Sequence, residues 1–109
     1  MSAESEAGSF RPPRFDVAVE EADGAVVLRL SGELDLVSEP ILQAALTRAK
    51  GRRLRIEMAD LAFMDSTGLR ALLGAARDFP ELTLAGPLQA PVRRLLDLTQ
   101  THGILPFDE

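Results

Sequence analysis

Hydrophobic and polar residues alternate along the first part of the chain, in FDVAVEEADGAVVLRLSGELD. Such a period of two is typical of β-strands that bury one face. Asp23-Gly24 separates two alternating runs and is typical of a tight hairpin turn. The pattern therefore predicts two antiparallel strands, with the apolar positions Val17 and Val19 in the first and Val26, Leu28 and Leu30 in the second.

The spacing then changes to that of a helix in LVSEPILQAALTRAKG. Ser38 is placed to cap this helix, Glu39 and Pro40 suit its first turn, and Gly51 ends it. The predicted buried stripe is Leu42, Ala45, Leu46 and Ala49. RRLRIEMAD returns to strand alternation, with Leu54, Ile56 and Met58 on one face and Arg53, Arg55 and Glu57 on the other.

Two further helices and a short strand follow. FMDSTGLRALL begins the second helix, which Pro80 ends, and its apolar stripe is Leu69, Leu72, Leu73 and Ala76. ELTLAGP predicts a strand with Leu82 and Leu84 inward. A third helix is predicted from about Ala90 to Thr101, with Val92, Leu95 and Leu96 inward and Gly103 closing it. The final ILPFDE is expected to be a brief tail that docks on the domain.

This order of elements predicts an α/β fold. Strands joined through helices are expected to run parallel, by right-handed crossovers, whereas the first pair forms a hairpin. Because the strands alternate, one face of the sheet is expected to lack a covering layer. We therefore predict a two-layer domain over residues 15–109: a mixed four-stranded sheet with helices mainly on one face. Residues 1–14, which are polar and contain two prolines, are predicted to be a flexible tail.

Composition excludes several classes of function. The net charge is −5, which argues against direct binding to a nucleic-acid backbone. No apolar stretch approaches the roughly 20 residues of a membrane span, and the N-terminus lacks a signal-peptide pattern. The chain has no cysteine, which excludes disulfides and thiolate metal sites and is consistent with the cytoplasm.

Catalysis also has few candidate residues. His102 is the one histidine, and its position at the end of the third helix is more typical of a structural residue. Nothing in the sequence pairs His102 with Ser66, so a serine nucleophile lacks its base. No phosphate-binding glycine loop or dinucleotide motif is present. We predict a protein that is not an enzyme, with no cofactor, no catalytic residue and no metal site.

The segment Asp65-Ser66-Thr67-Gly68 is the strongest candidate for function. As a helix start it is explained by Asp65 or Ser66 acting as the cap and by Gly68 allowing close packing. It also follows the carboxyl end of a predicted parallel strand, where α/β sheets commonly place their sites. SGELD ends the neighbouring strand, so Asp35 and Asp65 are expected to lie near each other at one edge; alternatively, SGELD is an ordinary strand exit with Asp35 capping the turn.

These motifs together resemble a known family. SGELDLVSEP followed by LAFMDSTGLRALL, with AGP, VRRLLDLT and GI behind them, resembles the STAS domains, in particular the bacterial anti-sigma factor antagonists. The resemblance runs from about Phe15 to Phe107. The short ARDFPELTLAG connection and the early C-terminus depart from the family pattern, which leaves the subgroup open.

The resemblance implies a protein–protein switch. It implies that Ser66 is phosphorylated by an anti-sigma factor that is also a serine kinase, that the unphosphorylated form binds this factor and releases the sigma factor, and that a PP2C-type phosphatase restores it. Asp65 would orient the Ser66 hydroxyl or cap the helix, and both roles stay open here. The expected partner-binding residues are Asp35, Met64, Asp65, Ser66, Thr67, Gly68, Leu69 and Arg70, of which Leu69 also fits the core stripe.

Two other interpretations remain. The same fold would serve as the STAS subunit of a lipid ABC transport system or as part of a stress-signalling complex. In a different class, the chain would be a small nucleotide-binding domain, against which the missing phosphate loop and the negative charge both argue.

Overall fold

The structure, a computed structural model, describes residues 14–108. The predicted tail lies outside the described residues apart from Arg14, so it remains a prediction. The described part contains, in order, β1 (Phe15–Ala22), β2 (Ala25–Leu34), α1 (Glu39–Arg48), β3 (Arg53–Met64), α2 (Ser66–Asp78), β4 (Thr83–Ala85) and α3 (Ala90–Leu98).

The four strands form one mixed sheet in the order β1-β2-β3-β4. β1 and β2 are antiparallel, and at the turn between them Asp23 and Gly24 have φ angles of 53° and 78°. Two successive positive φ angles are what a tight hairpin turn requires. β2, β3 and β4 are parallel, as expected for strands joined through helices. The predicted α/β fold is confirmed.

A largely aliphatic core, which also contains the buried rings of Phe15 and Phe79, lies between the sheet and the helices. Leu54, Ile56 and Met58 of β3 are all buried, and they join the core with the predicted residues of α1: Leu42, Ala45, Leu46 and Ala49. The other face of the sheet carries charge pairs, among them Arg29 with Glu20 at 2.7 Å and with Glu57 at 2.8 Å. The predicted division into a buried and a polar face is present in β2 and β3, whereas in the edge strand β1 Val17 is only partly buried and Val19 is 45% exposed, which corrects the prediction for β1.

β3 is longer than predicted. The sequence indicated a strand that ends near Asp60, but β3 continues to Met64 because its pairing with β2 shifts register twice, between Arg29 and Ser31 and between Gly32 and Glu33. These irregularities interrupt the period of two, so the buried residues Leu61 and Met64 are three positions apart. The apolar alternation alone gave no sign of this extension.

Two helices differ in detail from prediction. In α2 Leu69 and Leu72 are buried as expected, but Ala71 and Ala75 complete the stripe, whereas Leu73 and Ala76 are only partly buried. The helix is thus rotated relative to the predicted face.

The third helix ends at Leu98 rather than Thr101, and Gln100 follows with a φ of 58°, which stops the helix. Its predicted residues Val92 and Leu96 are buried and Leu95 is partly buried.

The C-terminal tail docks beside β4, as predicted. The Leu84 amide donates to the Pro106 carbonyl at 2.9 Å, and the Asp108 amide donates to the Leu84 carbonyl at 2.8 Å. Leu105 is buried, and the ring of Phe107 stacks on that of His102 with centroids 4.8 Å apart. These contacts add a strand-like segment to the edge of the sheet, beside β4.

Candidate functional site

The site lies where β2 and β3 end side by side, which we call the carboxyl edge (residues 33–38 and 63–68). Leu34 pairs with Met64, and the Asp65 amide donates a hydrogen bond of 3.2 Å to the Leu34 carbonyl. Asp35 follows Leu34 and Asp65 follows Met64, so the two acids lie just beyond neighbouring strand ends. The expectation that these two acids lie near each other is confirmed.

Asp65 is the N-cap of α2. Its backbone is extended, with φ −108° and ψ −170°, and its Oδ1 accepts hydrogen bonds from the amides of Thr67 at 2.9 Å and Gly68 at 3.1 Å. These amides belong to the first turn of α2, where backbone N–H groups have no acceptor within the helix. Of the two roles left open for Asp65, the structure shows the cap; within residues 14–108 no hydrogen bond joins its carboxylate to the Ser66 hydroxyl.

Ser66 is exposed at the first position of α2. Thr67, the adjacent hydroxyl, is partly buried, so Ser66 is the more accessible of the two. Ser66 directly follows a cap that fixes the direction in which the helix leaves the sheet. The hydroxyl is therefore presented to solvent from a well-defined backbone position.

Gly68 allows α2 to pack closely on the two strand ends. A Cβ at this position would lie 2.7 Å from Met64 Cγ and 2.8 Å from Leu34 Cγ, closer than carbon atoms approach. The predicted packing role of Gly68 is confirmed. The same packing buries Met64 and Leu69, which corrects the prediction that their side chains contribute to a docking surface; Arg70, by contrast, is exposed.

Asp35 organises the turn that leads into α1. Its Oδ1 accepts from the amides of Val37 and Ser38, each at 3.1 Å, and the Glu39 amide donates to the Asp35 carbonyl at 2.8 Å. Asp35 therefore caps this turn, one of the two roles considered for it. Ser38, predicted to cap α1, makes no side-chain cap bond; its buried hydroxyl lies 2.8 Å from the Glu33 carbonyl and accepts from the Asp35 amide at 2.9 Å.

The Asp35 carboxylate is held in its ionised form. The backbone amide of Ser38 is the largest cause of a lowered Asp35 pKa, and the Ser38 hydroxyl and the charge of Arg14 act in the same direction. The Arg14 guanidinium contacts Asp35 Oδ2 and also lies 3.3 Å from Glu33 Oε1. The pKa of Arg14 is raised, first by the hydrogen bond to Glu33 and then by the charge of Asp35. An ion-paired cluster thus occupies one side of the carboxyl edge.

Exposed apolar side chains surround this cluster, and the sequence reasoning missed them. Leu36 and Val37, in the turn after Asp35, are 72% and 74% exposed, Ile41 in the first turn of α1 is 49% exposed, and Phe63 at the end of β3 is 43% exposed. The available signal was their position outside every predicted buried stripe: Leu36 and Val37 precede the helix, Ile41 lies off its stripe, and Phe63 ends the strand. Large apolar side chains exposed close together are typical of a protein-binding surface.

His102 lies too far from Ser66 to act as its general base. His102 stacks on Phe107, which is paired with Leu84 at the level of Ile56 in β3, whereas Ser66 follows Met64. At about 3.3 Å per strand residue the side chains of Ser66 and His102 are on the order of 20 Å apart.

Within residues 14–108 no group of His, Asp or Glu side chains is arranged to hold a metal ion. No helix in the described part has the length and apolar character needed to cross a membrane.

Comparison with known proteins agrees with this geometry. Residues 16–109 match the family model of the STAS domain.

The chain belongs to the STAS domain family.

Two curated relatives of this STAS domain are anti-sigma factor antagonists. The Anti-sigma F factor antagonist of Paenibacillus polymyxa is 31% identical over 101 residues, which cover 85% of this chain and 86% of the relative. The Anti-sigma-B factor antagonist of Bacillus subtilis (strain 168) is 34% identical over 92 residues, 83% of this chain and 84% of the relative. The family is thus that of the anti-sigma factor antagonists.

Solved structures share the fold. An anti-sigma factor antagonist from Mycobacterium paratuberculosis superimposes with a TM-score of 0.76 at 25% identity, over 85% of this chain and 84% of the other. The antagonist SpoIIAA in its unphosphorylated form gives a TM-score of 0.68 at 23% identity, over 86% and 89% of the two chains. The mixed sheet with three helices is therefore the STAS architecture.

Proposed function

We propose that this STAS domain is an anti-sigma factor antagonist switched by phosphorylation at Ser66. In its unphosphorylated form it binds an anti-sigma factor that has serine kinase activity, and the sigma factor is released. Phosphorylation of Ser66 ends the binding, and a PP2C-type phosphatase restores the active form. The observation that carries this proposal is an exposed serine at the first position of α2, beside two turns capped by aspartates and a group of exposed apolar residues.

The start of α2 suits a phosphate physically. The Thr67 and Gly68 amides are already capped by Asp65, but the positive end of the helix dipole at the start of α2 still favours an anion. The Ser66 side chain is exposed, so an added phosphate displaces no core residue. Phosphorylation is therefore expected to leave the fold intact while it changes the surface.

The charge of the phosphate explains how binding would end. A phosphoserine adds about −1.5 to −2 charges at neutral pH. Asp65 directly precedes Ser66, and Asp35 and Glu33 lie on the neighbouring strand end. A partner that fits the unphosphorylated edge has no group placed to pair with the added phosphate, and leaving a charge buried and unpaired in an interface costs several kcal/mol, on the order of a hundredfold or more in affinity.

The proposed docking surface consists of exposed and partly buried groups at the carboxyl edge and next to it. Asp35, Asp65, Ser66, Thr67 and Arg70 contribute polar groups, and Leu36, Val37, Ile41 and Phe63 contribute apolar contact area. Met64, Gly68 and Leu69 support this surface from beneath, since all three are buried. The role of the protein is then binding rather than catalysis, in the cytoplasm, where sigma factors and their regulators act.

Phosphorylation is tested with the full chain, ATP and candidate anti-sigma factor kinases from the same organism. Mass spectrometry of the peptide that contains Ser66 and Thr67 is expected to show one phosphate on Ser66. Ser66→Ala is expected to abolish this phosphate and Thr67→Ala to retain it. Modification of Thr67 instead, or of neither residue by any candidate, would overturn the assignment.

Binding is tested by calorimetry with the same anti-sigma factors. Ser66→Ala is expected to bind whether or not ATP is present, and Ser66→Asp to bind at least about tenfold more weakly. Gln100→Asp is a matched control, because it adds the same charge at an exposed position after α3 whose positive φ an aspartate tolerates. Equal affinities for Ser66→Asp and Gln100→Asp would contradict a switch at Ser66.

A further inference from the structure

Arg14 places a positive charge on the acidic side of the carboxyl edge. Its guanidinium Nη2 contacts Asp35 Oδ2 and lies 3.3 Å from Glu33 Oε1, so one cation pairs with both carboxylates. No other lysine or arginine within residues 14–108 forms an ion pair with Glu33 or Asp35. The acids that face a docking partner are therefore already paired within the chain.

The backbone around Gly32 holds Arg14 in this position. The Arg14 carbonyl accepts the Glu33 amide at 2.6 Å, and Phe15 pairs with Gly32 at the start of β1. Gly32 has a φ of 94°, and a Cβ there would collide with the Arg14 carbonyl oxygen. Only glycine permits this approach, which fixes the point from which the Arg14 side chain extends.

We propose that Arg14 is an internal counter-ion of the docking surface, which must leave Glu33 and Asp35 before a partner contacts these carboxylates. This inference rests on the proposed function and adds an autoinhibitory contact to it. Carboxylates that are free of Arg14 attract hydrogen-bond donors and cations on the partner, whereas paired ones do not. Arg14 thus lowers the affinity of the unphosphorylated form.

The contact is weak enough to be displaced. The side chains of Arg14 and Glu33 are 59% and 51% exposed, whereas that of Asp35 is 17% exposed. The guanidinium itself therefore stays open to solvent, and ion pairs with one exposed partner contribute little and are screened by salt. The expected effect of Arg14 on affinity is therefore modest, about two- to fivefold. It is largest at low ionic strength, where the competing attraction is strongest.

A first experiment establishes the pair in the isolated full chain. NMR titration of the Asp35 carboxyl is compared among wild type, Arg14→Gln and Arg52→Gln. Arg52 is a matched control, since it pairs with Glu21 at 3.0 Å, near the hairpin turn that joins β1 to β2. The pKa of Asp35 is expected to rise in Arg14→Gln and to stay at its wild-type value in Arg52→Gln. An unchanged pKa in Arg14→Gln would overturn the inference.

A second experiment measures affinity for the anti-sigma factor that phosphorylates Ser66. Arg14→Gln is expected to bind about two- to fivefold more tightly than wild type at low salt, with the difference closing at high salt. Arg14→Lys, which keeps the charge, and Arg52→Gln are expected to match wild type. Equal or weaker binding by Arg14→Gln overturns the inference. Failure of the proposed function would give a different result, in which no variant binds the anti-sigma factor, Ser66→Ala included. That result would overturn the role of Arg14 together with the proposed function.

Discussion

The Asp65 amide donates a hydrogen bond to the Leu34 carbonyl at 3.2 Å, which joins the end of β3 to the end of β2. Beyond this bond each strand leads into a turn. Asp35 caps the amides of the turn after β2, and Asp65 caps those of the turn after β3. The acids at the proposed docking surface therefore also hold the fold. Variants at these two positions need controls that separate binding from stability.

Asp65→Ala is expected to destabilise the protein by about 1 kcal/mol, because the Thr67 and Gly68 amides lose their cap. Asp65→Asn is the matched control, since asparagine caps helices about as well. Urea unfolding followed by circular dichroism gives both free energies of unfolding. An equal cost for Asp65→Asn and Asp65→Ala would show that the charge, rather than the cap, is what stabilises α2.

Gly68→Ala is expected to lower the free energy of unfolding by about 1 to 2 kcal/mol, because the new Cβ overlaps with Met64 and Leu34 beneath it. Gly74→Ala, in the same helix, has only Arg77 Nη2 at 3.6 Å near its new Cβ. It is expected to raise stability by about 0.5 to 1 kcal/mol through better helix propensity. Both variants replace a glycine of α2 with alanine and differ only in the packing around the new Cβ. Changes of the same sign in the free energy of unfolding would contradict the close packing of Met64 and Leu34 against Gly68.

Asp35 is expected to make stability depend on pH in the acid range. Its pKa is lowered in the fold, chiefly by the Ser38 amide, so its stabilising contribution is complete above the unfolded value and is lost as the pH falls through the folded value. The difference in free energy of unfolding between wild type and Asp35→Asn should be largest at neutral pH and shrink below about pH 4. Denaturant unfolding at several pH values measures it. A constant difference would mean that Asp35 titrates alike in both states.

The exposed apolar residues near Asp35 are expected to contribute to partner binding. If the proposed function holds, Leu36→Ser combined with Val37→Ser weakens binding of the anti-sigma factor by about tenfold or more, because two large side chains are no longer buried in the complex. Leu98→Ser with Ile104→Ser is the control, at similarly exposed positions that follow α3 or end it. Equal affinities of the two double variants would remove Leu36 and Val37 from the docking surface.

The fold was largely predictable because its signals are local. The alternation of Leu54, Ile56 and Met58 and the Asp23-Gly24 turn act within a few residues, and both appear in the structure as predicted. The full length of β3 was not predictable, since it depends on register shifts opposite β2 that no pattern within β3 records. Long-range pairing, rather than propensity, sets the position of Met64.

The candidate site was predictable in its placement but not in its contacts. Parallel strands bring Asp35 and Asp65 to one edge, and the sequence indicated this. The predicted cap by Ser38 is absent because the Asp35 side chain reaches the turn amides while the Ser38 hydroxyl lies against the Glu33 carbonyl, a difference that no residue pattern records. The position of Arg14 depends on the close backbone approach at Gly32, for which a glycine within the strand was the available signal.

Position 63 suits a fluorescent probe of the proposed docking surface. The chain has neither tryptophan nor tyrosine, so it has almost no intrinsic fluorescence of its own at the wavelengths where indole emits. The Phe63 ring is partly exposed, three residues before Ser66. A tryptophan introduced there, as Phe63→Trp, would be the sole indole emitter in the molecule. Its emission would shift when a partner covers the carboxyl edge, and stopped-flow mixing would follow docking and release in real time.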